Sequence, residues 1–424
     1  MKAVFLCGGV GKRMSPITEN KFLIKFLGKT LLQHQIEQAK TIGLTDVVLI
    51  GNPDNIDKIK SVAEKVSGIS VEFAVQHDPR GMADAILSAS DLLSDSPFIL
   101  VNSNDIFDKS AYVSLLDEYQ NDGVYTSYIT ARQVQDYFPG GYLVVSNKDG
   151  EISRIVEKPG QGREPSNLIN IVVHLHNNSQ QLVEYLARTN STEDDVYEKT
   201  LNTMIDNGLK MKAVTYTNSW QAIKYPWHIL EATDYFLNRT RRQILPSARI
   251  SDKAIVDGDV VIGRNVKVLE GAIIRGPSYI GQNSIIGNGV LVRNSMIGDN
   301  CVVGYGTEIK HSYISDGCWF HMNYFGDSVV GNDCSFGAGT ITANLRLDEA
   351  SIKVSSCDRK LDTGLDKLGA FISDGVRTGI NVSLMPGVSV GERCFVGPHV
   401  CLTCDLPAGA TAMTESKYRI VIPK

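Results

Sequence analysis

The stretch YIGQNSIIGNGVLVRNSMIGDNCVVG, Tyr279 to Gly304, sets an aliphatic residue before glycine at Ile280-Gly281, Ile286-Gly287, Ile297-Gly298 and Val303-Gly304. The same pair recurs outward at Ile262-Gly263, Val330-Gly331, Val390-Gly391 and Val396-Gly397, in steps near six residues up to Val400. Neither a helix nor an ordinary strand has that period. It is the period of a triangular solenoid in which three hexads make one coil, each aliphatic points into the prism, and small residues take the tight corners. The C-terminal part is therefore expected to be a left-handed parallel β-helix of hexapeptide repeats. Cys301, Cys318, Cys334 and Cys394 fall four residues after a hexad aliphatic, where a small side chain fits. The eight cysteines thus read as core and corner residues; Cys401 and Cys404 form one C-x-x-C pair without a second at zinc spacing.

A chain of 424 residues exceeds one ordinary core, so two domains are expected. Apolar content of 43% and charged content of 21% fit a globular chain, and a net charge of -5 leaves no general basic footprint for nucleic acid. No run of 18 apolar residues occurs, and Ala3 to Cys7 is cut by Gly8-Gly9 and followed by Lys12-Arg13, unlike a signal peptide. The expected setting is cytoplasmic, with small molecules and copies of the chain itself as partners, and neither nucleic acid nor membrane.

Ahead of the repeats, short aliphatic runs alternate with amphipathic stretches. Lys2-Cys7, Asp46-Ile50, Val71-Val75 and Phe98-Val101 read as parallel strands, with Leu31-Thr41, Ile56-Val66 and Ala83-Leu93 as helices between them. That alternation predicts a doubly wound α/β domain. Tyr142-Val145, Glu151-Glu157, Leu168-Leu175 and Leu209-Thr215 read as an antiparallel flank, and Trp227 to Ile244 as a closing helix. The expected domains are 1–245 and 246–424. Leu345 to Lys367 interrupts the hexads with charged residues and reads as a loop protruding from the prism.

Strand Lys2-Cys7 runs into Gly8-Gly9-Val10-Gly11-Lys12-Arg13. Glycines let backbone amides approach a polyphosphate, and a cation in the loop offsets charge gathering at phosphorus. The loop fits neither the Walker nor the dinucleotide-binding spacing. With Lys21, Gln76, Gly81, Asp105 and Glu157-Lys158-Pro159 it resembles the sugar-1-phosphate nucleotidylyltransferases over roughly the first 235 residues. The resemblance implies that Gly8, Gly9, Gly11 and Arg13 hold nucleotide phosphates, with Lys21 near the reacting centre. It further implies that Gln76 and Gly81 read a pyrimidine base, Asp105 binds Mg2+, and Glu157, Lys158 and Asn170 hold the sugar phosphate. The chain departs from the family pattern in the spacing before Lys21, in Asn104-Asp105, and in Ala222, which stands where a second metal ligand is usual.

In the repeats, His321-Met322-Asn323-Tyr324-Phe325-Gly326-Asp327 and Phe336 to Asn344 break the plain hexad. His321 falls where the rhythm slips by a residue, and a neutral imidazole suits proton removal from an attacking amine. These segments, with Leu368 to Pro386, resemble the acetyltransferase domain of the bifunctional N-acetylglucosamine-1-phosphate uridylyltransferase/glucosamine-1-phosphate N-acetyltransferase family, above all its archaeal type. That resemblance implies His321 as general base, Tyr324 and Asn344 as amino-sugar contacts, and Arg293, Lys310 and Lys353 on the sugar phosphate. Ala338 would lie along the pantetheine arm of acetyl-CoA, and Ala350 replaces one loop lysine of the family. The whole then reads as a bifunctional enzyme, a homotrimer built on the prism, using Mg2+ and acetyl-CoA. Two other readings stay open at this point: a glucose-1-phosphate thymidylyl- or uridylyltransferase whose solenoid only oligomerises, and a regulatory protein that binds a nucleotide sugar without turnover.

Overall fold

The structure, a computed structural model, describes residues 1–424 apart from 94–95, 147–148, 194, 358, 416–419 and 423–424. It divides into two compact units, one of Met1–Val10, Asn20–Ile24 and Thr30–Ala222, the other of Gly11–Glu19, Lys25–Lys29 and Ile223–Lys424.

In the first unit the sheet runs in the spatial order Ser70–Val75, Asp46–Gly51, Lys2–Leu6, Phe98–Asn102, Leu168–His176, Gly141–Val145 and Ile152–Glu157. The first four strands are parallel and the rest antiparallel. Residues alternate between two cores. Phe5, Leu49 and Val101 pack with Leu32, Ile36 and Tyr112 on one face, while Val4, Ile50 and Leu100 pack with Ile86, Leu182 and Leu201 on the other. Both faces being apolar, the central strands read as continuous hydrophobic runs. The chain leaves Lys2–Leu6 toward one edge and returns to its other side at Phe98–Asn102, so the strand order reverses there, and ligands of such sheets bind beyond the carboxyl ends at that switch. The strand Ser127–Gln133, absent from the sequence reading, pairs parallel with Met211–Thr215 and antiparallel with Leu168–His176.

The second unit is a prism of three stacked parallel sheets, of 8, 9 and 8 strands. The hexad aliphatics, such as Ile262, Ile280, Ile286, Ile297, Val303 and Val330, are wholly buried on its axis. Each such side chain taken fully out of water contributes about 1.5–3 kcal/mol, and only stacking of coils achieves that. Polar ladders run inside the corners: Ser278, Ser295, Ser312 and Ser328 pass hydrogen bonds from coil to coil. The Cys301, Cys318 and Cys334 thiols each donate to a carbonyl of the next coil at 3.1–3.2 Å. All eight cysteines are free, and Cys401 and Cys404 are exposed.

Three expectations need adjustment. The closing helix is only His228–Leu237, because Gln243–Ile244 instead pairs with Val261 and Ile262 as the first rung of the prism. That helix belongs to the second unit, Phe236 stacking on Phe26 at 4.8 Å, so the expected boundary at 245 lies inside the unit rather than at its edge. The interruption Leu345 to Lys367, whose Asp358 lies outside the described residues, carries an antiparallel hairpin, Lys353–Ser356 with Arg359–Asp362. Its Ile352 and Val354 are buried. Among the described residues no helix is long and apolar enough to cross a membrane.

Candidate active sites

At the switch point of the first unit the chain emerging from Lys2–Leu6 is held from below. Asn52 Nδ2 donates to Gly8 O at 3.0 Å and Asn55 Nδ2 to Cys7 O at 2.9 Å. Gln76 is buried beside this turn, donating through Nε2 to Gly81 O at 3.0 Å and to Asp84 Oδ2 at 2.9 Å. Its Oε1 occupies the place a Cβ at Gly8 would need. Gly9 and Gly11 differ: a Cβ on either would meet nothing within 4 Å, so both border open space, and Gly11 also has φ of +69°. Arg13 is exposed in the short turn Lys12–Met14, within a segment grouped with the second unit. Lys21 begins another such turn, Lys21–Leu23, and is half-buried.

Asp105 lies beyond Phe98–Asn102 and is buried. Its carboxylate accepts from Asn102 Nδ2 and from Trp220 Nε1, each at 3.1 Å. Ala222 stands directly across from it in an antiparallel pair, so the two side chains share a face. The sequence reading missed Trp220 and Asn102, which orient the carboxylate. Glu157, Lys158 and Asn170 meet around Gly140-Gly141: Glu157 pairs with Gly141 and bonds Lys158 at 2.8 Å, and Lys158 N donates to Gly140 O. Asn170 Oδ1 would lie 2.9 Å from a Cβ at Gly141, so glycine is required there.

On the prism, Arg293 and Lys310 occupy one register position in consecutive coils, and Glu308 and Tyr324 another. Arg293 is paired with Glu308 at 2.6 Å. Asp327 joins the rest: Lys310 Nζ lies 3.3 Å from its Oδ2, to which Asn344 Nδ2 also donates. Burial alone would raise the Asp327 carboxyl, but bonds from His311 and Asn344 and the charge of Lys310 outweigh it and hold it below the usual carboxylate range. The Tyr324 phenol is pushed up, first by burial and then by Glu308 and Asp327. His321 is exposed at the corner just ahead of Tyr324–Gly326, its backbone N–H donating to Asn323 Oδ1. Lateral bonds span 18 residues in the first coils but 16 across the one holding His321.

Ala338 is exposed on a corner whose neighbour Gly337 lies flat on Gly379. Lys353 is outside the cluster, exposed on the hairpin opposite Asp362. The structure thus gathers Arg293, Lys310, Tyr324 and Asn344, and adds Glu308, Asp327 and His311, which the sequence reading did not single out. Asp327 ends the stretch His321 to Asp327, but only the coil register reveals its partners.

Residues 2–235 match the Nucleotidyl transferase family and residues 240–357 the GMPPB C-terminal domain. Over whole chains, the Bifunctional protein GlmU of Methanocaldococcus jannaschii is 30% identical, covering 96% of this chain and 96% of its own. The protein of the same name from Methanococcus maripaludis is 32% identical over 100% and 99%. A Bifunctional sugar-1-phosphate nucleotidylyltransferase/acetyltransferase of Sulfurisphaera tokodaii is 32% identical over 96% and 99%. Likeness at that level through both units, joined to a nucleotidyl transferase sheet and a hexapeptide prism, makes the chain a member of the bifunctional nucleotidylyltransferase/acetyltransferase enzymes.

Proposed function

We propose that the prism transfers acetyl from acetyl-CoA to the amine of an amino-sugar 1-phosphate, glucosamine 1-phosphate first among them, and that the first unit moves UMP or dTMP from the nucleoside triphosphate onto a sugar 1-phosphate. The observation carrying this is the cluster Arg293–Lys310–Tyr324–Asn344 around Asp327, two cations and neutral donors on one prism face next to the His321 corner. Cations there match a phosphate, and the Tyr324 hydroxyl and Asn344 amide match sugar hydroxyls. His321 would take the proton as the amine attacks the thioester carbonyl, the thiolate of CoA leaving and taking up a proton. Ala338, small and exposed, leaves room for the pantetheine arm.

In the glycine turn after Lys2–Leu6, Gly9 and Gly11 leave their amides open to phosphate oxygens, and Arg13 and Lys21 would neutralise charge at the reacting phosphorus. Gln76 and Gly81 would read the base, while Glu157, Lys158 and Asn170 would hold the sugar phosphate. Among the described residues no group of three or more His, Cys, Asp or Glu could hold a metal. The site still suits Mg2+, which is commonly bound by one or two carboxylates together with substrate phosphates; Asp105 would hold it. When bound it would offset charge on the phosphates.

Homotrimeric assembly is part of this reading. Trp319 and Phe395 stand half-exposed on one face of the prism and Ile255 and Ile341 on another, as surfaces that meet another copy do. The cytoplasmic setting is retained from composition. Incubation with acetyl-CoA, glucosamine 1-phosphate, UTP and Mg2+, omitting each in turn, tests the scheme. Acetylated sugar phosphate should need only acetyl-CoA and the amino sugar, and pyrophosphate release should need UTP and Mg2+. No acetylated product in the full mixture would refute the prism assignment.

A further inference from the structure

Behind the proposed sugar-phosphate cluster, His311 stands between two carboxylates. Its Nδ1 lies 2.7 Å from Asp327 Oδ1 and its Nε2 3.0 Å from Asp234 Oδ2. Both ring nitrogens face carboxylate oxygens, an arrangement that an imidazolium satisfies with a hydrogen on each nitrogen. His311 and Asp327 occupy equivalent corners of consecutive coils, Asp327 N donating to Lys310 O, and both have positive φ, 43° and 50°. That backbone region favours Asn, Asp, His and Gly, so the turn admits both side chains and turns them to the same side of the prism corner. Asp234 comes from helix His228–Leu237, which also brings Glu231, raised by burial and by Asp234.

We infer that His311 is a positioning residue for the amino-sugar phosphate: as an imidazolium shared by Asp327 and Asp234, it draws charge from Asp327 and leaves Lys310 free to turn to the substrate phosphate. This rests on the acetyl-transfer reading above and adds a residue to it. With His311 charged, the group Asp234, His311, Asp327 and Lys310 is neutral. Removing that proton leaves one net negative charge beside the phosphate, and Asp327 then holds Lys310 as its main cationic partner. Arg293, the other cation of the cluster, has its own carboxylate partner in Glu308 at 2.6 Å. The bonds from Asp234 and then Asp327 raise the ring to about 9, so the charged form dominates at neutral pH.

The test compares His311→Gln and Asp234→Asn with the parent enzyme, using binding of glucosamine 1-phosphate by calorimetry and KM and kcat of acetyl transfer from pH 6 to 10.5. The substrate's amine and phosphate titrate alike for every protein, so ratios of constants isolate His311. At pH 7 His311→Gln should bind the sugar phosphate about tenfold more weakly, the scale of one unit charge several ångströms away near a protein surface, with kcat nearly unchanged. The ratio should fall toward one above pH 9. In Asp234→Asn the parent-like affinity should be lost at lower pH, because one stabilising carboxylate is gone. A ratio independent of pH, or equal to one throughout, overturns the inference. Absence of sugar-phosphate binding by the parent enzyme would instead overturn the underlying site.

Discussion

Gly8→Ala tests whether the proposed base-reading end of the nucleotide site depends on the packing of Gln76 against Gly8. The new Cβ would occupy the place of Gln76 Oε1, and one of the two must move. The loop cannot yield cheaply, since Asn52 and Asn55 hold the carbonyls of Gly8 and Cys7. Gln76 therefore gives way and loses its bonds to Gly81 O and to the Asp84 carboxylate. A neutral bond is worth about 1 kcal/mol and one to a charged group about 1.5–3 kcal/mol, so the displacement costs about 2.5–4 kcal/mol. If that falls on nucleotide binding, kcat/KM for the triphosphate drops about 60- to 700-fold at about 1.4 kcal/mol per decade. Pyrophosphate release reads the loss, and acetyl transfer by the same protein serves as internal control. The decisive arm is Gln76→Ala, in whose background Gly8→Ala should cost little, giving a coupling of about 2 kcal/mol. Equal losses in both backgrounds, or an unchanged KM for the triphosphate in Gly8→Ala, would refute the steric argument.

Ala222→Asp sets a carboxylate across the strand pair from Asp105 and should lower the Mg2+ concentration giving half-maximal nucleotidyl transfer; an unchanged Mg2+ titration counts against the assigned metal position. His321→Ala should lower acetyl transfer by about 10²- to 10⁴-fold, the usual scale of a general base, and leave pyrophosphate release intact; near-normal acetylation would remove His321 from its role. His174 and His176 are wholly buried, and burial lowers both, His176 to about 3. Unfolded imidazoles titrate near 6.5, so the unfolded chain takes up protons first and stability falls as pH drops below that value, by about 2 kcal/mol per histidine at pH 5. Hydrogen exchange of Leu168–His176, corrected for intrinsic rates, should show that loss, and equal protection at pH 7 and pH 5 would contradict it. The intact chain of 46.4 kDa should sediment as three copies; a monomer at micromolar concentration excludes the trimer.

The prism was legible because burial enforces its period. Every coil must place an aliphatic on the axis, and Ile262, Val268, Ile274, Ile280 and Ile286 keep that rhythm whatever the outward residues do. The doubly wound strands were legible for the same reason, being apolar on both faces. What escaped were elements whose burial is polar. Ser127–Gln133 reads as a weak strand because Ser127 and Thr130 are buried by bonding His176 Nδ1 and Val173 O, so no hydrophobic alternation marks it. The apolar spacing of the closing helix runs on to Ile244, yet the rung against Ile262 takes that residue and the helix stops at Leu237.

The sites follow a different logic. Lys310 and Tyr324 occupy outward positions of the rungs, which the prism leaves free, so nothing in the hexad itself fixes their identity. Their contacts are set by which residue lies one coil away, and that step shortens from 18 through 17 to 16 residues along the prism. A reader of the sequence who assumes a constant step of 18 places Lys310 beside Ser328 rather than next to Asp327. Resemblance could supply the members proposed to touch substrate, because substrate chemistry would fix them. It could not supply His311, whose partners lie 16 and 77 residues away on a corner and a helix. A residue that acts only through another carries no motif of its own, and register is the one property that makes it visible.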